Sequence, residues 1–168
     1  MDPRLKRLQQ EIASAIAGLS AEQWSWHPPG KWCAAEVLEH LYLTYTGTLK
    51  GFERVAEAGK PLASSATWPQ RGGTLIVVSI GYFPPGREAP PIARPKGVPA
   101  EKVLSEIGPK IAEMDAAITR TEEKFGARTK VLDHPILGPL SAGQWKKFHL
   151  VHGLHHVKQI RRLRERAR

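Results

Sequence analysis

The feature that most constrains this chain is a histidine-rich segment near its C-terminus, residues 145–160. Four of the seven histidines lie there within eight residues, at positions 149, 152, 155 and 156. On a helix, His152 and His156 stand one turn apart on one face, because residues four positions apart share a face. That face continues through residues expected to point into a core, namely Trp145, Ile160 and Leu163. An inward face that changes from apolar residues to imidazoles favours a bound divalent metal.

The composition indicates one globular domain, and we expect residues 1–168 to form it. A hydrophobic content of 41% and a charged content of 24% exclude a disordered chain. No apolar run approaches the roughly 18 residues of a transmembrane helix, and the N-terminus has no apolar signal-peptide core. We therefore expect a cytoplasmic protein that does not enter a membrane. Because Cys33 is the single cysteine, any metal must be held mainly by histidine.

The net charge of +9 is concentrated at the C-terminal end. Residues 141–168 hold eight Lys and Arg against one Glu, so 8 − 1 = +7 of the total falls there. Cations near a helix C-terminus interact favourably with the helix dipole, and a solvated tail is the simplest interpretation. Binding of nucleic acid or of an anionic surface is the alternative. No nucleic-acid motif supports it, so nucleic acid is not the expected partner.

Apolar periodicity and capping residues predict four long helices. The first covers residues 3–18, and the second runs from Cys33 or Ala34 to Ala58. The third runs from residue 99 to 125, where Pro109 predicts a break after Gly108 or a kink. The fourth follows a Ser141 cap, and residues 131–140 before it are predicted to form a loop. These features predict an all-α four-helix bundle with a long crossover loop between helices 2 and 3.

The crossover segment, residues 59–99, is too rich in proline and glycine for a long helix. Within it, the apolar and β-branched run at residues 75–80 is compatible with a strand, and equally with a helical turn that docks on the bundle. A connection of this length is usually functional or ordered by packing. It could shape a pocket at the open end of the bundle, or it could be a structural strap.

His40, in the second long helix, supplies a third imidazole. It lies among inward-facing residues, with Glu36 one turn earlier. Three imidazoles, from His40, His152 and His156, leave coordination positions open, which is typical of catalytic rather than structural metal sites. Such a donor set suits several divalent ions, and zinc or nickel is expected. An open-position ion can polarise a substrate or lower the pKa of bound water.

Two stretches resemble one known family. The run His152-Gly-Leu-His155-His156-Val-Lys-Gln159 and the histidine in Trp32-Cys-Ala-Ala-Glu-Val-Leu-Glu-His40-Leu resemble the DinB-like, or YfiT-like, superfamily of metal-dependent enzymes. The resemblance spans the whole chain and implies a four-helix bundle with a three-histidine metal site, often in a homodimer. It carries the family's ligands over to His40, His152 and His156. It also implies a hydrolase or thiol transferase that acts on a small-molecule substrate, and the fold does not choose between them.

Several residues near these histidines have open roles. Glu36 and Gln159 are the catalytic candidates, because either could orient a ligand ring or a water molecule, and Glu36 could act as a general base. His149 and His155 could each join the metal site or stay outside it. Two alternative functions remain: a non-catalytic metal- or ligand-binding stress protein, and a nucleic-acid-binding protein that works through its basic C-terminal tail.

Overall fold

The computed structural model of the protein describes residues 1–84 and 88–167, and these are mainly helical. Its elements are, in order, α1 (Pro3–Ile16), α2 (Ala21–Ser25), α3 (Ala34–Ala58), α4 (Trp68–Thr74), a π-helical turn (Leu75–Ile80), a 3-10 turn (Pro91–Ala93), α5 (Ala100–Phe125), β1 (Lys130–His134), β2 (Gly138–Ser141) and α6 (Ala142–Arg166). The predicted, predominantly α-helical class is confirmed, with one small two-stranded sheet added.

The four long helices α1, α3, α5 and α6 pack against one another through their apolar faces. The most extensive contacts join α3 to α5 and α1 to α6, and α6 also contacts α3 and α5. The largest fully buried side chains are Tyr45, Phe52, Leu5, Leu8, Ile12, Leu38, Leu41, Ile111, Met114, Ile118, Leu140 and Ile160. Burial of these side chains is the main favourable contribution to the stability of the helical core.

The close approach of α1 to α6 depends on a glycine. A Cβ atom at Gly153 would overlap the Leu8 side chain and would lie 3.1 Å from the Tyr45 hydroxyl. Because Gly153 has no side chain, Leu8 and Tyr45 pack directly on the α6 backbone at the residue that follows His152.

Capping contacts confirm the predicted helix start at Ser141, and similar contacts begin the short helix α2. Ser20 accepts a hydrogen bond from the Gln23 amide at the start of α2, and Ser141 accepts one from the Gln144 amide at the start of α6. In both, the glutamine side chain accepts from the backbone N–H of the cap residue. These reciprocal bonds satisfy amide groups that a helix N-terminus leaves without intrahelical partners.

Of the break or kink predicted at Pro109 in the third long helix, the break is wrong. Helix α5 continues without interruption through Pro109. A proline removes one backbone donor and crowds the preceding turn, but the buried residues Ile107, Ile111 and Met114 hold this part of α5 in the core. The Gly108 carbonyl also accepts a hydrogen bond of 3.2 Å from the Gln9 side chain on α1. Tertiary packing outweighs the local penalty at this position.

The loop predicted at residues 131–140 is instead a β-hairpin. Strands β1 and β2 pair antiparallel, with Leu132 opposite Leu140 and His134 opposite Gly138. In a two-stranded sheet both strands are edges, so a proline within β2 is tolerated. The turn closes when His134 Nδ1 accepts hydrogen bonds from two backbone amides that follow it. Proline and glycine here mark a tight hairpin rather than an irregular loop.

The described part of the crossover segment holds α4, the π-helical turn and the 3-10 turn. Of the two conformations considered for residues 75–80, the helical one is observed. The Glu39 carboxylate fastens the end of the segment to α3, because it accepts hydrogen bonds from the Lys96 amide at 2.6 Å and the Gly97 amide at 3.2 Å. Across residues 1–84 and 88–167, the helices include none long and apolar enough to cross a membrane.

Candidate metal centre

Three imidazoles from two distant helices meet inside the protein. His40 comes from the first half of α3, and His152 and His156 come from adjacent turns of α6. His152 Nε2 lies 3.2 Å from His40 Nε2 and 3.1 Å from His156 Nε2. One ligand atom from each residue lies within 4.8 Å of the others, and each residue is at most 8% exposed. We call His40, His152 and His156 the histidine triad.

In two of the rings, the nitrogen that faces away from the centre forms a hydrogen bond. This bond determines whether the nitrogen that faces the centre carries a proton. His40 Nδ1 is 2.7 Å from the Ala93 carbonyl oxygen, and His156 Nδ1 is 3.0 Å from Gln159 Oε1. Both oxygens can only accept, so each Nδ1 must carry the proton. The Nε2 atoms of His40 and His156 are then unprotonated, and both lone pairs point towards His152. This is the arrangement that metal-binding histidines usually show.

These donor atoms fit a divalent cation. A neutral His152 has one ring proton and can donate from Nε2 to only one of the two lone pairs that face it. If its proton is on Nδ1 instead, three lone pairs converge, and Nδ1 itself has no hydrogen-bond partner among the described residues. Either tautomer leaves a buried polar atom unsatisfied, which is costly. A cation bound to three neutral imidazoles resolves the conflict at the centre.

Burial keeps the histidine triad neutral, as metal ligands must be. Desolvation lowers the pKa of His40, and the hydrogen bond to the Ala93 carbonyl opposes this shift only in part. Desolvation is also the largest cause for His156, whose pKa falls to about 3 with a further contribution from His40. The pKa of His152 is lowered well below its usual value by desolvation and by the two neighbouring imidazoles. At neutral pH all three rings are therefore available as lone-pair donors.

Aromatic rings surround the histidine triad, and a large cavity opens on it. The Trp32 ring lies 5.2 Å from the His40 ring, Phe83 lies 5.1 Å from His152, and Phe148 stacks on His152 at 5.3 Å. A cavity of about 1840 Å³ is lined by all three histidines and by Trp32 and Phe83. A small molecule in this cavity would lie between the histidine triad and apolar walls.

The two catalytic candidates occupy different positions. Gln159 contacts the histidine triad through His156 Nδ1, so it is placed to orient that ring. Glu36 lines the cavity, but one carboxylate oxygen accepts the Cys33 amide at 2.8 Å and caps α3. This contact gives Glu36 a structural task at the helix start.

The two histidines with open roles lie outside the group of converging ligand atoms. His149 is fully buried, stacks on Trp145 at 5.6 Å and lies 5.5 Å from the Tyr45 ring. Desolvation lowers the pKa of His149 to about 3. His155 packs against Phe83 at 5.1 Å and lines the cavity next to the histidine triad. His149 therefore belongs to the core and His155 to the cavity wall.

One contact was not indicated by any sequence pattern, namely the acceptor that orients His40. That acceptor is a backbone carbonyl, at Ala93 in the crossover segment. Because every residue carries a carbonyl, no side-chain pattern could have identified it. The only available signal was the length of the connection, which suggested an ordered or functional role.

The basic C-terminal part of α6 is partly tied to the fold. Arg161 forms an ion pair with Glu11 of α1 at 2.8 Å, and the Arg164 carbonyl accepts a hydrogen bond from Gln23. Lys158 and Arg162 line the cavity beside the histidine triad. Much of the positive charge of α6 therefore lies at the cavity wall or in contacts with the rest of the fold, and not in a separate solvated tail.

Comparison with known proteins agrees with this geometry. Neither the curated proteins nor the solved structures compared with the chain include a significant match. A family model described as the DinB superfamily matches residues 4–160, a range that contains all three histidines and the crossover segment. The family resemblance noted in the sequence is thereby confirmed over nearly the whole chain. The protein belongs to the DinB superfamily.

Proposed function

We propose that the protein is a metal-dependent enzyme of the hydrolase or thiol-transferase type, with a divalent ion, zinc or nickel, held by His40, His152 and His156. The observation that carries the proposal is the convergence of three Nε2 atoms, two of them left unprotonated by hydrogen bonds at Nδ1. When bound, such an ion supplies Lewis acidity and lowers the pKa of water at its open positions.

The chain's own groups account for the rest of the proposed site. The Ala93 carbonyl and Gln159 Oε1 hold two ligand rings in fixed orientations. Trp32 and Phe83 cover the histidine triad and restrict the access of water, which strengthens polar interactions inside the cavity. We propose Gln159 as a positioning residue and Glu36 as the candidate general base, although Glu36 would have to act while it caps α3.

The domain organisation is also part of the proposal. We propose that residues 1–168 form one domain, a four-helix bundle made of α1, α3, α5 and α6, in which the crossover segment covers the end that holds the histidine triad. The contact of α3 with α5 and of α1 with α6 supports this arrangement. A small-molecule substrate fits a cavity of this size. A homodimer and a cytoplasmic location stay predictions from the sequence.

The experiment that tests the metal site is elemental analysis of untagged protein before and after the change His40→Ala. We expect the parent to carry close to one equivalent of zinc or nickel and the variant to lose most of it, because two imidazoles alone bind far more weakly. Helical content, measured by circular dichroism, should stay largely unchanged.

The matched control is His155→Ala. His155 lines the same cavity but does not join the converging ligand atoms, so this variant should retain its metal. Equal metal content in the parent and in His40→Ala would remove His40 from the site. Equal loss in both variants would show that the choice of ligands is wrong.

A further inference from the structure

The cavity that opens on the histidine triad is lined by more positive than negative side chains. Among the residues that the structure describes, seven cationic ones contribute to its wall, namely Arg7, Lys31, Arg54, Arg94, Lys158, Arg161 and Arg162. Four described carboxylates do so as well, namely Glu11, Glu36, Glu88 and Asp133. An excess of positive over negative side chains favours anions inside the cavity.

The contacts of these side chains increase the excess of available positive charge, because all four carboxylates bind partners within the protein. Glu11 pairs with Arg161 at 2.8 Å, and Glu88 pairs with Arg94 at 2.7 Å. The carboxylates of Glu36 and Asp133 accept backbone amides at 2.8 and 3.0 Å. Among the described residues, the remaining five cations of the wall have no ion pair within 4.0 Å, which leaves their charge available to a ligand.

Two of these five cations, Lys158 and Arg162, lie on α6, the helix that also carries His152 and His156. Lys158 and Arg162 lie three and seven positions after His155 on α6, so the three side chains share one face of the helix. That face lines the cavity, and His155 is in contact with both Phe83 and His156. An anionic group bound by Lys158 and Arg162 would thus lie on the side of His155, in the cavity that also opens on the histidine triad.

We propose that Lys158 and Arg162 form an anion-binding subsite of the cavity, and that the substrate is a small organic anion whose apolar body packs against Trp32 and Phe83. The anionic group is a carboxylate, sulfonate or phosphate, which all offer the acceptor oxygens that lysine and arginine bind. This inference rests on the proposed function, because it describes the substrate of the same site.

A pair of small probes tests the subsite directly. Benzenesulfonate is compared with methyl phenyl sulfone, a neutral molecule of similar shape, by ligand-observed NMR titration of the full-length protein. We expect the parent to prefer the sulfonate and the preference to fall about threefold to fivefold in Lys158→Gln and in Arg162→Gln, the size typical of exposed ion pairs. The preference should also weaken as the salt concentration rises.

The matched control is Arg166→Gln, which removes the same charge from the same helix at an exposed residue outside the cavity wall. This variant should keep the parent's preference, and an equal loss would overturn the subsite in favour of a general charge effect. A parent that binds both probes equally would also overturn it.

Titrations of metal-loaded and chelator-treated protein separate the subsite from the metal. A sulfonate preference that survives metal removal supports Lys158 and Arg162 as the binding groups. A preference that disappears with the metal and is unchanged in Arg162→Gln overturns the subsite and leaves the proposed function standing. If the parent binds no metal, the proposed function is wrong. The preference of the metal-free protein for benzenesulfonate over methyl phenyl sulfone still tests the subsite.

Discussion

At the scale of single residues, the histidine triad depends on where each ring carries its proton. His156 is oriented by one side-chain acceptor, Gln159 Oε1 at 3.0 Å, which lies one turn further along the same helix. A bond of this kind fixes the tautomer of the ring and raises the basicity of the nitrogen that faces the metal. His149 shows the contrast, because it is equally buried but has no acceptor on either nitrogen among the described residues.

Gln159→Leu should therefore weaken metal binding without removing a ligand. The change deletes the acceptor for His156 Nδ1, and we expect the affinity for zinc to fall about tenfold to a hundredfold, as is typical when the partner of a ligand ring is lost. Competition against a chromophoric chelator measures the affinity.

Gln159→Glu provides the conservative comparison, because it retains an acceptor oxygen at the same position. It should restore most of the affinity lost in Gln159→Leu. If Gln159→Leu binds zinc as tightly as the parent does, then the hydrogen bond at His156 Nδ1 contributes nothing to the metal site.

At the scale of elements, α1 and α6 are in direct contact through Gly153. We expect Gly153→Ala to destabilise the protein by about 1 to 3 kcal/mol, the usual cost of an added methyl group in a tightly packed core, because the new Cβ would overlap Leu8. Urea unfolding followed by circular dichroism measures the change in the free energy of unfolding.

Gly47→Ala is the control for this prediction. Gly47 also lies inside a long helix, α3, but a Cβ there would meet no atom within 4 Å. Removing the flexible glycine should stabilise the protein by about 0.5 to 1 kcal/mol. Destabilisation of similar size in both variants would contradict this explanation, because a Cβ at Gly47 meets no atom and the contact with Leu8 would then not be the cause at Gly153.

The long helices were predictable from the sequence because their signals are local. Ser141 begins a capping box at the start of α6, and apolar residues recur along each long helix with the period of one face. The uninterrupted α5 was not predictable, because it depends on tertiary contacts that outweigh proline at position 109. The hairpin was missed because proline at position 139 was interpreted as a loop signal, although an edge strand tolerates it. The three histidines were found together because two share a helical face and the third lies among the inward-facing residues of another long helix, and the family resemblance led to the same three residues.

At the scale of the whole molecule, the crossover segment connects the packing of α3 to the orientation of His40. Its Ala93 carbonyl binds His40 Nδ1, and its Lys96 and Gly97 amides bind the neighbouring carboxylate of Glu39. Glu39 is only 4% exposed. Each of its hydrogen bonds involves a charged acceptor, the class of bond that contributes about 1.5 to 3 kcal/mol.

Glu39→Ala should consequently loosen the crossover segment and weaken metal binding from a distance. Without the carboxylate the amides at 96 and 97 lose their partner, the Ala93 carbonyl is held less firmly, and we expect the zinc affinity to fall by about tenfold. Hydrogen exchange of backbone amides at residues 89–97 should accelerate in parallel, whereas Gln159→Leu should leave that exchange unchanged because it acts on α6.

The control is Glu53→Ala, at an exposed position of α3, which should alter neither the zinc affinity nor the hydrogen exchange. Faster exchange with undiminished zinc affinity would show that the segment covers the histidine triad without orienting it.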